Sequence, residues 1–240
     1  MHLRALLLAA LIAAHVVQPS RAADDESQSR AARVSLKAPD GVSVAATWYE
    51  PSARPAPAVI LIHMLKKSRA DWDAVGSRLA ADGIGALAID LRGHGESSGD
   101  ASDLTAMVRD VEAARQYLAT RADVIRTKIG IAGASLGANL AVLYGAEEGS
   151  IASLALLSPS SDYRGLRIES PIRKFGSRPV FLAVSDDDAY AMRSAKELQK
   201  GGPGIRELLV LNGAGHGTNM LSRSPDLTGA LVAWFHRTLQ

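Results

Sequence analysis

The stretch "IGIAGASLGANLAV", residues 129–142, decides the fold prediction, because an apolar strand-like run passes directly into a helical one. At its centre, Gly133-Ala134-Ser135-Leu136-Gly137 fits G-x-S-x-G. A serine in such a strand-to-helix turn occupies a strained position that lifts its hydroxyl out of the sheet, and side chains at the flanking glycines would collide. The start of the helix also favours developing negative charge. Ser135 is therefore predicted to be a nucleophile; the alternative is a glycine-rich turn with a capping serine.

Apolar runs alternate with helical patterns along most of the chain. A hairpin is predicted in residues 33–51, followed by a buried strand within 56–64 and five further strands within 84–93, 128–135, 151–159, 178–185 and 206–213. Helices are predicted at 68–83 (with Ser68 and Asp71 as a capping box), 103–120, 136–148 and 226–239. This alternation predicts an α/β fold: a mostly parallel, doubly wound sheet of about eight strands with helices on both faces. Functional groups gather at the carboxyl ends of the strands in such sheets.

The first residues of the chain differ from the rest. Residues 1–22 combine an early arginine, a short apolar run and the small residues Ser20 and Ala22 before a cleavage point, which predicts a signal peptide. A helix packed on the domain is the alternative. We expect a flexible linker at 23–32 and one α/β domain at 33–240. The mature protein is then periplasmic or secreted, with no membrane insertion once the signal is removed.

Composition excludes several classes of function. The chain has 27 basic and 25 acidic residues. Loss of Arg4 and Arg21 with the signal leaves 25 of each, and a neutral surface argues against nucleic acid as a partner. The absence of cysteine excludes disulfides and a thiol nucleophile.

A serine nucleophile needs a base, an acid and donors for the oxyanion. His216, in the glycine-rich "NGAGHGTN" after the last predicted strand, is the predicted base. Asp186, Asp187 and Asp188 follow the preceding strand, and spacing alone leaves open which of them is the acid. The predicted oxyanion donors are the backbone N–H groups of Leu136, directly after the nucleophile, and of Leu65, in the loop after the strand at 56–64. His63 is interpreted as a structural residue.

These motifs, with "IDLRGHGESSG" at 89–99, resemble the α/β-hydrolase superfamily over essentially all of residues 33–240. The resemblance implies structural roles for Asp90 and Arg92, a non-catalytic His94, and Asp188 as the acid, three residues after the position that Ser185 holds in place of glycine. Relatives usually have glycine where this chain has Met64. The short segment 158–179 leaves no room for a helical lid, which is typical of compact, dienelactone-hydrolase-like members.

We therefore predict a serine hydrolase of carboxylic esters with small or short acyl groups, acting without a metal or other cofactor on a small-molecule substrate. The possible pocket residues are Met64, Lys66 and Tyr163. A serine peptidase or amidase, a thioesterase, and a non-catalytic binding protein on the same scaffold stay open as alternatives. The sequence does not determine the oligomeric state.

Overall fold

The structure, a computed structural model, describes residues 31–240; the predicted signal peptide lies outside them. Residues 31 and 32, which were predicted to lie in the linker, pair as the start of the first strand. The strands are β1 (Ala31–Lys37), β2 (Ser43–Tyr49), β3 (Ala56–Ile62), β4 (Gly85–Ile89), β5 (Val124–Ala134), β6 (Ile151–Leu157), β7 (Asp162–Tyr163), β8 (Leu166–Arg167), β9 (Val180–Ser185) and β10 (Arg206–Leu211). The helices are α1 (Asp73–Ala81), α2 (Val108–Thr120), α3 (Leu136–Glu147), α4 (Glu169–Lys174), α5 (Ala189–Gln199), α6 (Asn219–Arg223) and α7 (Asp226–Leu239).

Eight strands form one sheet in the order β1-β2-β4-β3-β5-β6-β9-β10. The predicted hairpin is β1 and β2, and both the β1–β2 and β2–β4 pairs are antiparallel. All other pairs in the sheet are parallel. The predicted mostly parallel sheet is therefore confirmed, and the carboxyl ends of β3, β5, β6 and β9 lie side by side at one edge.

The central strands are apolar on both faces because helices cover both faces of the sheet. Every residue of β3 and of β4 is buried. One core contains Trp48 and Phe175, and the other contains Trp72, Trp234 and Phe235. A fully buried large side chain stabilises the fold by about 1.5–3 kcal/mol. The sheet therefore forms a rigid base for the loops at its carboxyl edge.

Two predicted helices begin later than their patterns indicate. The helix predicted from Ser68 begins at Asp73, after a 3₁₀ turn at residues 69–72. The predicted capping box is wrong, because the Ser68 side chain makes no cap and the Asp71 carboxylate accepts a hydrogen bond from Thr218 instead. The helix predicted from Asp103 begins at Val108. The Asp103 carboxylate accepts bonds from the Thr105 hydroxyl and the Ala106 N–H, and these local bonds favour a turn over helix.

The segment between β6 and β9 contains only the two-stranded hairpin β7–β8 and the six-residue helix α4. The hairpin is too short to give a period-2 signal, and the sequence did not predict it. Within residues 31–240, no helix has both the length and the apolar character that crossing a membrane requires.

Candidate active site

Ser135 lies between the last residue of β5 and the first residue of α3, at φ +52° and ψ −114°. Its N–H donates to the Leu157 carbonyl at the end of β6, at 2.8 Å. A Cβ at Gly133 would lie 2.2 Å from the Gly137 carbonyl oxygen, and one at Gly137 would lie 2.4 Å from the Ile62 carbonyl oxygen. Backbone atoms on both sides thus exclude side chains at positions 133 and 137, so this turn requires glycine at both.

The fold brings Ser135, His216 and Asp188 together. The His216 Nε2 lies 2.8 Å from the Ser135 Oγ, and its Nδ1 lies 2.6 Å from an Asp188 oxygen. The other Asp188 oxygen accepts the Ala191 N–H at 3.2 Å, at the start of α5. Ser135 is only 6% exposed, but the His216 side chain is 48% exposed, so the site opens to solvent on the histidine side. With Nδ1–H donating to Asp188, Nε2 is free to accept a proton from the serine.

The four residues Ser185–Asp188, which we call the acidic clamp, hold the loop of residues 213–218, which we call the histidine loop. Each clamp residue contacts a different loop residue. Asp188 contacts His216, and the other three accept backbone N–H groups: Asp186 from Gly213 at 2.8 Å, Ser185 from Ala214 at 2.7 Å, and Asp187 from Gly215 at 3.1 Å. The sequence left open which aspartate faces the histidine, and these contacts select Asp188.

The histidine loop needs such contacts because glycine occupies three of its six positions. Gly213, Gly215 and Gly217 all have left-handed φ angles, of +57°, +80° and +59°. Glycine reaches these angles without steric strain, but ordering it costs more conformational entropy than ordering other residues. The Ser185 hydroxyl and the Gly215 N–H hold the pKa of Asp187 below its usual range, so this clamp residue is anionic at neutral pH.

The two predicted oxyanion donors lie on neighbouring elements. Leu136 is the first residue of α3, where N–H groups lack an acceptor within the helix. Leu65 lies in a turn closed by a 3.2 Å bond from the Lys67 N–H to the Met64 carbonyl, with Lys66 at φ +62°. The close approach of Gly137 to the end of β3 places this turn beside the start of α3.

His63 and His94 are structural, as the sequence interpretation held. His63 is fully buried; its Nε2 accepts the Leu91 N–H at 2.9 Å and its Nδ1 donates to the Met64 carbonyl at 2.7 Å. Burial lowers the pKa of His63 to about 4, so the ring is neutral at neutral pH. The His94 ring lies 5.2 Å from that of His63 and its Nδ1 lies 3.0 Å from the Arg92 carbonyl. Neither ring contacts Ser135.

Asp90 and Arg92 fix the turn after β4. The Asp90 carboxylate accepts the Arg69 N–H at 2.7 Å and also pairs with the Arg69 guanidinium. The Arg92 guanidinium bonds Asp110 at 2.8 Å and Asp40 at 2.7 Å. Both residues therefore tie separate segments of the chain together at the carboxyl edge of the sheet.

A cavity of about 590 Å³ begins at Leu65 and extends between two loops. Its walls are Leu65, Ala101, Ser102, Asp103, Leu104, Thr105, Arg164, Gly165 and Leu166. The predicted pocket residues Met64, Lys66 and Tyr163 do not line it: Met64 packs against Gly217, Lys66 is exposed, and Tyr163 lies beside the hairpin tip. The sequence missed the 101–105 wall because these residues follow the 89–99 motif without a pattern of their own that marks a pocket.

Asn139, fully buried in the first turns of α3, joins the hairpin β7–β8 to the helix that follows Ser135. Its side-chain nitrogen donates to the carbonyls of Ser160 and Leu166, at 2.8 and 2.9 Å, and its oxygen accepts the Ser160 N–H at 3.1 Å. One wall of the cavity is thus fixed relative to Ser135. In the part of the chain that the structure describes, no group of three or more metal-ligating side chains forms a metal site.

A family model described as serine aminopeptidase, S33, matches residues 53–217, a span that contains Ser135, Asp188 and His216. The chain belongs to this family of α/β hydrolases. No curated protein sequence matches this hydrolase.

Solved structures share the fold of this α/β hydrolase at low sequence identity. Dienelactone hydrolase from Anabaena variabilis is 19% identical with a TM-score of 0.75, over 89% of this chain and 100% of that one. Est1E from Butyrivibrio proteoclasticus, solved with ferulic acid bound, is 20% identical with a TM-score of 0.74, over 85% and 98%. The Pyrococcus furiosus esterase Pf2001 is 19% identical with a TM-score of 0.71, over 93% and 96%. These likenesses show the fold.

Proposed function

We propose that this α/β hydrolase is a serine hydrolase that cleaves carboxylic esters through an acyl-enzyme on Ser135. The observation that carries the proposal is the continuous hydrogen-bonded chain from the Ser135 hydroxyl through His216 to Asp188, at 2.8 and 2.6 Å. A serine hydroxyl becomes an effective nucleophile only when a positioned base takes its proton, and that base is oriented by a third group.

In the first half of the reaction, the Ser135 Oγ attacks the ester carbonyl carbon while the His216 Nε2 takes the hydroxyl proton. The carbonyl oxygen becomes an oxyanion, which the N–H groups of Leu136 and Leu65 stabilise. The carbon–oxygen bond to the alcohol then breaks, and His216 returns the proton to the leaving oxygen. Asp188 keeps the imidazole in the required tautomer and stabilises its charged form.

In the second half, a water molecule replaces the alcohol. His216 takes a proton from the water, whose oxygen attacks the acyl carbon, and the proton then passes to the Ser135 Oγ as the acid leaves. The exposure of the His216 side chain gives water direct access to this position.

The proposed mechanism puts the two halves of the ester on different sides of the site. The leaving oxygen must face His216, which protonates it, so the alcohol lies on the open side of the site. The acyl carbon carries the oxyanion and therefore lies beside Leu65, where the cavity of about 590 Å³ begins. We propose that the acyl group enters this cavity, whose apolar wall is Leu65, Ala101, Leu104 and Leu166.

The second candidate is a serine peptidase or amidase, which the description of the matched family favours. The same nucleophile, base and donors would cleave an amide. The short segment between β6 and β9 supports the ester instead, since it holds only a two-stranded hairpin and α4 with which to grip a peptide. Thioesters fit the same geometry. A non-catalytic scaffold protein is disfavoured by the intact Ser135–His216–Asp188 chain.

We also propose, from the pattern of residues 1–22, that the enzyme is exported to the periplasm or secreted. Mass determination of the protein recovered from the periplasm and medium of an expressing bacterium tests this. An intact mass that includes residues 1–22, confined to the cytoplasm, contradicts it.

The test of the function compares the protein with Ser135→Ala on p-nitrophenyl acetate, butyrate and octanoate and on amino-acid p-nitroanilides. We expect ester hydrolysis that Ser135→Ala abolishes, with anilide hydrolysis far slower. Anilide hydrolysis faster than ester hydrolysis would favour the peptidase. If the folded protein hydrolyses neither class and a fluorophosphonate probe does not label Ser135, it is not a serine hydrolase.

A further inference from the structure

Ser158 combines three properties that the proposed reaction does not explain. It directly follows β6, it is only 1% exposed, and it has a left-handed φ of +48° although it is not glycine. For a residue with a Cβ, such a backbone conformation costs about 1–3 kcal/mol and persists where surrounding contacts fix it. The hydrogen bonds around Ser158 therefore indicate the role of this residue.

The Ser158 Oγ accepts the N–H of Gly217, the residue after His216, at 2.9 Å. Its own N–H donates to the Ala183 carbonyl of β9, at 2.8 Å. The residue before it, Leu157, accepts the Ser135 N–H through its carbonyl, also at 2.8 Å. Two consecutive residues at the end of β6 therefore hold the nucleophile and the base.

The positive φ is the reason that one segment can do both. In a regular strand, successive side chains point to opposite faces. The left-handed turn at Ser158 ends the strand, and its hydroxyl reaches the histidine loop while the Leu157 carbonyl stays in register with the start of α3. On the far side, the Met64 sulfur would lie 2.5 Å from a Cβ at Gly217, so Met64 packs closely against this glycine.

The acidic clamp contacts the histidine loop from its amino-terminal side as far as His216 itself. Beyond His216, side chains from outside the loop make two hydrogen bonds to it: Ser158 with the Gly217 N–H, and Asp71 with the Thr218 hydroxyl. Without the Ser158 hydroxyl, the N–H of buried Gly217 loses its acceptor, and a glycine free to change its φ directly follows the catalytic base.

We propose that Ser158 is a positioning residue that sets the distance between the Ser135 hydroxyl and the His216 imidazole. The proposal rests on the serine-hydrolase function proposed above. A purely structural role is the alternative, in which the Gly217 bond stabilises the fold and leaves the Ser135–His216 geometry unchanged.

The experiment compares Ser158→Ala, Ser158→Gly and the control Ser153→Ala. Ser153 lies within β6, the strand that ends just before Ser158, and it is fully buried. Its hydroxyl accepts a bond from Thr238 at 2.9 Å, far from the site. Ser158→Ala removes the acceptor and keeps the backbone strain. Ser158→Gly removes the acceptor and relieves the strain, so its stability should exceed that of Ser158→Ala.

Turnover of p-nitrophenyl acetate is measured per site labelled by a fluorophosphonate, so that unfolded protein does not count. We expect kcat to fall by about tenfold or more in both Ser158 variants, because a catalytic group misplaced by about 1 Å costs up to about 100-fold. KM should change by less than about twofold in both, since no substrate contact is lost. Ser153→Ala should keep kcat within about twofold.

The second readout is the far-downfield proton resonance of the Nδ1–H between His216 and Asp188, which does not require turnover. We expect it in the parent protein and in Ser153→Ala, and expect it shifted or lost in both Ser158 variants. If kcat falls in Ser158→Ala but is restored in Ser158→Gly, or if the resonance is unchanged in both, Ser158 is structural and the proposal is wrong. A parent protein without ester turnover contradicts the proposed function instead, and the resonance then still decides the positioning role.

Discussion

Alanine substitution at Gly213 and at Gly217 separates two energetic costs in the histidine loop, backbone strain and steric clash. The two glycines have nearly the same left-handed φ, +57° and +59°. A Cβ at Gly213 meets nothing within 4 Å, whereas a Cβ at Gly217 would lie 2.5 Å from the Met64 sulfur. Gly213→Ala therefore adds backbone strain alone, and Gly217→Ala adds the same strain together with a steric clash.

The expected destabilisation follows from these two contributions. A left-handed alanine costs about 1–2 kcal/mol. The Met64 sulfur is near the end of a flexible side chain that can move, so overpacking adds only about 1 kcal/mol, the low end of its usual cost. Gly213→Ala should lower the free energy of unfolding by about 1–2 kcal/mol, and Gly217→Ala by about 2–3 kcal/mol. In a Met64→Ala background the clash disappears, so the double-mutant cycle should give a coupling of about 1 kcal/mol between residues 64 and 217.

Urea unfolding followed by the fluorescence of the buried tryptophans measures all of these free energies. The comparison requires that the unfolding free energy falls with urea concentration at the same slope in the single and double variants. Equal destabilisation by Gly213→Ala and Gly217→Ala, or additive effects of Met64→Ala and Gly217→Ala, would refute the packing of Met64 on the histidine loop described above.

Three further outcomes are expected. Asp188→Asn should lower kcat on the order of 10³-fold because it disturbs the tautomer of His216. In the control Asp186→Asn, kcat should stay within about threefold of the parent value. Similar losses of ester hydrolysis in the two variants would contradict the selection of Asp188. Burial lowers the pKa of His63 to about 4 in the folded protein. As the pH falls, the His63 imidazole is therefore protonated in the unfolded chain before it is protonated in the folded one. The contribution of His63 to stability is complete above about pH 6.5 and decreases by about 2 kcal/mol at pH 5. In urea unfolding, His63→Gln should therefore lose about 2 kcal/mol less unfolding free energy than the parent between pH 7.5 and 5. An equal loss in the two proteins argues against a neutral buried ring. Leu104→Trp should narrow the cavity beside Leu65 and lower kcat/KM for p-nitrophenyl octanoate about tenfold relative to acetate; an unchanged ratio places the acyl group elsewhere.

The fold was predictable because its central strands carry their signal locally. β3 is a continuous apolar run that is buried along its whole length, and the second half of β5, from Ile129, is buried as well. The glycines at 133 and 137 mark the turn where β5 meets α3. Helix starts were less predictable, since they depend on competing local bonds. The Asp103 carboxylate, for example, binds the following turn and delays α2 by five residues.

The candidate site divides in the same way. Ser135 and His216 stand in motifs that local sequence reveals, whereas the choice among the three aspartates depends on which residue of a distant loop each one contacts. Ser158 carries no local signal beyond a serine that ends a strand. Its contact with Gly217 depends on the strand order β6-β9-β10, which brings the loop after β10 near the end of β6 and which the sequence does not state.

The hydrogen bond between Asp186 and the histidine loop also bears on the chemical stability of Asn212. Asn212-Gly213 is a dipeptide prone to deamidation, in which the glycine nitrogen attacks the asparagine side chain to form a succinimide; asparagine is among the thermolabile residues. Here the Gly213 N–H donates to the Asp186 carboxylate at 2.8 Å. The nitrogen must lose this proton before it can attack, and the carboxylate disfavours that loss. The clamp that orders the histidine loop thus also protects it from a chemical change that would lengthen the backbone four residues before His216.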